Sequence, residues 1–225
     1  MVRPTLSQRL LAEFLGTALI VTGVIGAGHM VQDLGASPAL GLLMIALSVG
    51  FIIVLAISML APISGSHFNP AVSLAMLLRK DISSVDAGLY VLTQFVGGAI
   101  GALVANVMFS APAWSISQVD RSGMGIWLGE AFATGGLVLI VLVLVDGGRV
   151  EWIPPSVGMW VAAGHIFTSS TSFANPAVTF GRMLSGAITG ITPESGLYFF
   201  VFQIVGALVA LMIATTLRPR KALTS

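Results

Sequence analysis

Long apolar runs separated by short polar connectors set the pattern of this chain. Residues 10–31, 39–61, 87–109, 126–145, 153–168 and 195–217 each read as one hydrophobic span, the fifth being the shortest. The second span carries no charge at all, and Pro62 is expected to end it. The first contains Glu13, and the fourth has Glu130 near its start. The connectors hold the turn formers and the charges: 32–38 with Asp33 and Gly35, 79–84 with Arg79 and Lys80, 146–149 with Asp146 and Arg149, and a longer loop at 110–125 with Asp120 and Arg121.

Two stretches break this rhythm. Ser64-Gly65-Ser66-His67-Phe68-Asn69-Pro70-Ala71-Val72 and Ser172-Phe173-Ala174-Asn175-Pro176-Ala177-Val178 both place Asn-Pro-Ala after a polar approach and before a short apolar run. Asn is a good helix N-cap, and Pro suits the first helical position, so each copy reads as a helix start. The run after Asn69 lasts about nine residues before Arg79, or about 14 Å at 1.5 Å per residue. That is near half of a ~30 Å hydrocarbon core. Two half-helices whose N-termini face each other near the membrane midplane are expected.

The three landmarks recur in one order. Glu13-x-x-x-Thr17, Asn69-Pro70-Ala71 and Gln94-x-x-Gly97 are followed by Glu130-x-x-x-Thr134, Asn175-Pro176-Ala177 and Gln203-x-x-Gly206. The chain therefore reads as one transmembrane domain over 1–225, made of repeats near 1–115 and 116–225. Three spans per repeat is an odd number, so the halves are inverted relative to each other. Six spans leave both termini on one side. Arg3, Arg9, Arg79, Lys80, Arg149, Arg218, Arg220 and Lys221 fall on that side, against Arg121 and Arg182 on the other, which predicts cytoplasmic termini.

Composition narrows the class. Of 225 residues, 56% are hydrophobic and 8% charged, and mean hydropathy is +0.99. A soluble domain would lack surface charge at these values, so the expected class is an all-α membrane protein. There is no cysteine, which excludes disulfides and thiolate metal sites. Net charge is +1, so nucleic acid is not indicated as a partner. The three histidines are scattered without partner ligands, so neither a metal nor another cofactor is expected. No catalytic constellation stands out, and an enzyme is not expected. Gly97-x-x-x-Gly101 with Gly98 points to close helix packing.

These motifs resemble the aquaporin, or major intrinsic protein, family over almost the whole chain. The resemblance implies an aquaporin-like fold: six tilted spans, two re-entrant half-helices, a pore in each subunit and a homotetramer in a lipid bilayer. Conduction would be passive. Helix N-termini carry roughly half a positive charge each. Together with the Asn69 and Asn175 amides, they would admit small neutral solutes and oppose cations and protons. Gly65-Ser66-His67 and Ser172-Phe173-Ala174 would present carbonyls to the pore, the setting in which non-helical backbone is tolerated at membrane depth. Glu13 and Glu130 would support the loops. The rival reading, a proton relay in a secondary transporter, stays open on sequence. His67 reads as a loop anchor or a pH gate, and His29 as an interfacial residue.

One departure matters. The second motif usually continues into Arg, and here that position is Val178. The resemblance places Val49 and Ser172 at two more positions of the selectivity filter. The fourth is Ala163 by ungapped counting, or His165 if the approach to the second motif is two residues shorter, as matching Gly158 suggests. Small residues and no Arg imply a wide filter of low polarity. Such wording is most similar to aquaglyceroporin-like channels of bacterial arsenic-resistance operons. That implies passage of arsenite, methylated arsenicals, glycerol and water across a bacterial inner membrane; the alternative is a general water and glycerol channel without an arsenic role. Arg182, four residues past Val178, reads either as an outer-mouth charge or as an interfacial anchor.

Overall fold

The computed structural model describes residues 4–218, so Arg3, Arg220 and Lys221 lie outside the described residues. Eight α-helices follow in order: α1 Leu6–Asp33, α2 Pro38–Ser64, α3 Pro70–Leu78, α4 Ser84–Met108, α5 Met124–Asp146, α6 Ile153–Phe167, α7 Pro176–Met183 and α8 Pro193–Leu217. The order long, long, short, long occurs twice. Five helices are long and apolar enough to cross a membrane. The sixth crossing element is α6, of 15 residues. It runs between the two ends of α5. One 3-10 turn after Asp146 leads into it, and Ser169 Oγ, just past its far end, donates to the Gly125 carbonyl at the start of α5.

Helix ends follow local chemistry. Thr5 and Gln8 form a capping box that starts α1 four residues earlier than the apolar run indicates. Ser83 caps α4 on the Asp86 amide. Pro62 does not end its span: α2 runs through it to Ser64 and stops at Gly65, which adopts φ 85°. Membrane helices tolerate an internal Pro because neighbouring protein satisfies the freed backbone groups, and Gly takes the left-handed conformation at little cost.

The core is mostly small and β-branched, with Val21, Ile25, Ala71, Ala102, Ala133 and Leu142 fully or almost fully buried. Large apolar side chains such as Phe51, Leu55 and Met212 point outward, as lipid-facing residues do. Glycines set the closest helix crossings. A Cβ on Gly50 would lie 3.1 Å from the Gly158 carbonyl oxygen, and one on Gly158 would lie 2.7 Å from that of Gly50. This reciprocal contact joins α2 to α6. Gly97 sits against the Phe14 carbonyl and Gly206 against that of Ala131, the same contact in each repeat.

At the end that carries the described termini, Arg79 holds Asp146 through both terminal nitrogens, at 2.6 and 3.1 Å. Arg218 reaches the same carboxylate at 3.4 Å. The opposite end is closed by the 110–123 segment, which docks onto the exit of α7 through Ser117 N–H to the Met183 carbonyl.

The added Cβ of Gly97→Ala would lie 2.6 Å from a backbone oxygen that cannot yield. This variant is expected to lose about 1–3 kcal/mol, the usual cost of overpacking. Gly88→Ala in the same helix meets nothing within 4 Å and is expected to be neutral or to gain about 0.5–1 kcal/mol. Thermal unfolding of both in detergent checks the contrast.

Candidate functional site

The two half-helices meet through their capping residues. Asn69 Oδ1 accepts from the Ala71 amide at 2.9 Å, and Asn175 Oδ1 accepts from the Ala177 amide at 2.9 Å. Each Nδ2 then crosses to the other loop: Asn69 donates to the Ala174 carbonyl at 2.8 Å and Asn175 to the Phe68 carbonyl at 2.7 Å. A side-chain amide has two N–H donors. One in each Asn is therefore engaged in this clasp, and the second remains for the cavity that both side chains line. Pro70, Ala71, Pro176 and Ala177 are buried in the first turns behind the clasp.

The loops leading to the asparagines are not helical, and they contain unfavourable backbone. Ser66 (φ 52°) and Phe68 (φ 49°) match Ser172 (φ 47°) and Ala174 (φ 51°) as left-handed non-glycine residues. Buried carboxylates hold them. Glu13 accepts from the His67 and Phe68 amides at 3.0 and 2.7 Å, from Ser64 Oγ at 2.7 Å and from Gln94 Nε2 at 2.7 Å. Glu130 accepts from the Phe173 and Ala174 amides at 2.9 and 3.0 Å and from Gln203 Nε2 at 2.6 Å. Both glutamates are fully buried. His67 is tied to Ser73 Oγ at 3.0 Å and packs edge-on against Tyr90. His29 contacts Asn106 and stacks on Phe109, away from the motifs.

A single cavity passes the clasp. On the side toward the termini it is walled by Ile57, Met76, Val145 and Ile153; on the far side it reaches His165 and Arg182. Its walls are aliphatic residues repeating every fourth position: Ile20 and Val24 on α1, Ile53 and Ile57 on α2, Leu137 and Val141 on α5, Val157 and Val161 on α6. Sequence reasoning passed over these residues, although counting back by fours from the filter positions would have found several of them.

Val49, His165, Ser172 and Val178 all line this cavity. Ala163 does not: it lies on the exposed face of α6, beside Leu139 and Ile140. The Gly50–Gly158 contact explains the register, because it aligns α2 and α6 with two residues fewer before the second motif. Arg182 is 2% exposed and lines the cavity, so it does not snorkel to an interface. Its Nε donates to the Thr189 carbonyl, and its guanidinium carbon lies 3.2 Å from the centroid of the Phe173 ring. Arg121, read from sequence only as a loop charge, approaches the same ring at 5.1 Å. Among the described residues, no group of three or more His, Asp or Glu is placed to hold a metal ion.

The family model described as "Major intrinsic protein" matches residues 1–174. The chain belongs to the major intrinsic protein family. It is 39% identical over 208 residues to Aquaglyceroporin AqpS of Rhizobium meliloti, covering 92% of this chain and 89% of that protein. An aquaglyceroporin of Toxoplasma gondii is 34% identical over 188 residues, covering 81% of this chain and 67% of that protein. Among solved structures, the aquaglyceroporin from Plasmodium falciparum shares the fold at TM-score 0.76 and 23% identity, covering 93% of this chain and 95% of that one. As a major intrinsic protein the chain is a multi-pass membrane protein of a family of passive channels, and not an enzyme.

Glu130→Ala removes the acceptors of two buried amides that fix the second loop. Each unpaired amide costs about 1–3 kcal/mol. The variant is expected to unfold at clearly lower temperature than Glu130→Gln, which keeps one acceptor. Circular dichroism melts in detergent measure this difference.

Proposed function

We propose that this protein is a passive channel for small uncharged solutes: water and glycerol, and with them arsenite and methylated arsenicals. It would work as a homotetramer in a bacterial inner membrane, with both termini in the cytoplasm. The domain reading of one pore unit over 1–225 belongs to the same proposal. The observation that carries it is Val178 lining the cavity at the position where the family resemblance expects an arginine.

Four cavity-lining residues make up the proposed filter. Val49 and Val178 offer methyl groups, Ser172 a hydroxyl and His165 a ring nitrogen. A solute there meets few polar groups and little bulk. Farther in, the aliphatic walls offer no hydrogen bonds, so a charged species would lose hydration without replacement. A neutral polyol-like molecule loses much less. At the clasp it meets one N–H from each asparagine and the positive ends of α3 and α7, which disfavour cations.

The names of the relatives support glycerol and water. The wording Thr171-Ser172-Phe173-Ala174-Asn175-Pro176-Ala177-Val178 supports the arsenic specialisation by the resemblance already stated. The glutamates support channel over coupled transport: all four acceptor positions of Glu13 are filled by loop and helix donors, which leaves no place for a travelling proton.

Arsenite entry into vesicles, with and without the protein, tests the proposal. Flux above empty vesicles is expected, and none would refute the arsenic role. Val178→Arg would return a cation and bulk to the filter. Arsenite and glycerol flux are expected to fall about tenfold or more, an added barrier of about 1.4 kcal/mol or more, while water flux falls less. Stopped-flow light scattering with several osmolytes reads all three.

A further inference from the structure

Among the described residues, Arg182 is a buried charge without a counter-charge. Its guanidinium does not deprotonate in proteins. Phe173 covers one face, and Nε has the Thr189 carbonyl. Neither Nη nitrogen has a hydrogen-bond partner among the described residues, and no ion pair there includes Arg182. The carboxylates in the neighbourhood are committed. Glu130 is taken by Phe173 N–H, Ala174 N–H and Gln203. Asp120 is taken by Ser122 Oγ and Ser195 Oγ. The second cation beside the same ring, Arg121, directs Nε and Nη2 to the Gly190 and Ile188 carbonyls. Burying an uncompensated charge is strongly unfavourable.

A second polar group lines the same cavity. Ser172 Oγ is buried, lines the cavity and has no partner. Its hydroxyl is free to donate. His165 differs: Nδ1 faces the Val161 carbonyl at 2.8 Å, so Nδ1 carries the proton and the unpartnered Nε2 accepts. Arg182 and Ser172 thus offer donors, while His165 offers an acceptor to a passing hydroxyl.

We propose that the far end of the cavity binds a small monovalent inorganic anion on Arg182, with Ser172 as a second donor. Farther in, Ile53, Val157 and Val161 supply no donor, so the anion is held rather than conducted. It stands in the path of neutral solutes and reduces their flux in proportion to its occupancy. The blocking half of this inference rests on the channel reading; the binding half does not.

Sodium nitrate is the probe, and sodium gluconate of equal osmolarity, whose anion is much larger than nitrate, is the reference. Two readouts are taken: glycerol flux into proteoliposomes, and thermal unfolding in detergent followed by tryptophan fluorescence. In the wild type, nitrate is expected to lower glycerol flux about twofold when its concentration equals its Kd, and to raise the unfolding temperature. Both effects are expected to vanish in Arg182→Gln and to weaken in Ser172→Ala. Equal behaviour in the two salts overturns the proposal, and so does a nitrate effect of undiminished size in Arg182→Gln. Should Arg182→Gln fail to fold, an unchanged nitrate titration in Ser172→Ala and in Arg182→Lys overturns it instead. Vesicles that pass no glycerol would sink the channel reading, and the nitrate-dependent shift in unfolding temperature would still decide binding.

Discussion

Two buried carboxylates, each gripping consecutive peptide N–H groups of an irregular loop, are the constraint on which the site depends. Backbone that leaves a helix inside a membrane has donors and acceptors that lipid cannot satisfy. Glu13 takes the amides of His67 and Phe68, and Glu130 takes those of Phe173 and Ala174. With these donors bound inside the protein, the Phe68 and Ala174 carbonyls accept from the asparagine of the opposite repeat. The left-handed residues Ser66, Phe68, Ser172 and Ala174 are what this peptide orientation demands. The glutamines on α4 and α8 fix the carboxylates of α1 and α5 from behind, so each repeat ties two spans, one loop and one half-helix into a single polar unit. Gln94 and Gln203 do so while also reaching Ser73 and Thr179 on the half-helices.

The clasp builds on these units. Each asparagine caps its own half-helix and closes on the other repeat's loop. A substitution there would lose both a cap and a link between repeats. The geometry also limits what the asparagines offer to a passing molecule, since one N–H of each is already spent. Two donors and two helix termini at one level, with hydrocarbon above and below, make a short polar stage in an apolar tube. That arrangement favours solutes that need one or two hydrogen bonds over those that need a full hydration shell.

Much of this was legible because it rests on local chemistry. Asn-Pro at a helix start has a mechanical meaning, and the repeated Glu and Gln landmarks mark the polar units before any contact is known. The fourth filter position was not legible. Choosing between Ala163 and His165 needs the register of α2 against α6, which is set by two glycines packing across the repeats. Pro62 misled because its effect depends on neighbours rather than on its own sequence context. The burial of Arg182 was hidden for a similar reason. Phe173 and Thr189, which enclose it, lie in the irregular segments on either side of α7, and no spacing rule brings them onto its side chain.

The exchange of an arginine at one position for a valine, with an arginine one helical turn farther on, changes more than width. At Val178 a cation would stand among the residues of the proposed filter. At Arg182 it lies against an aromatic face, where cation–π attraction and a carbonyl hold it aside. The positive charge therefore remains at the far end of the cavity, while the proposed filter carries a methyl-bearing side chain at Val178. Two tasks that one residue could combine, repelling cations and hydrogen-bonding the solute, are separated in space. In the proposed channel, repulsion would fall to Arg182 and to the midplane helix termini, and solute contact to His165 and Ser172. On the proposed reading, this separation is what would let a bulkier neutral solute pass without lowering the barrier to cations.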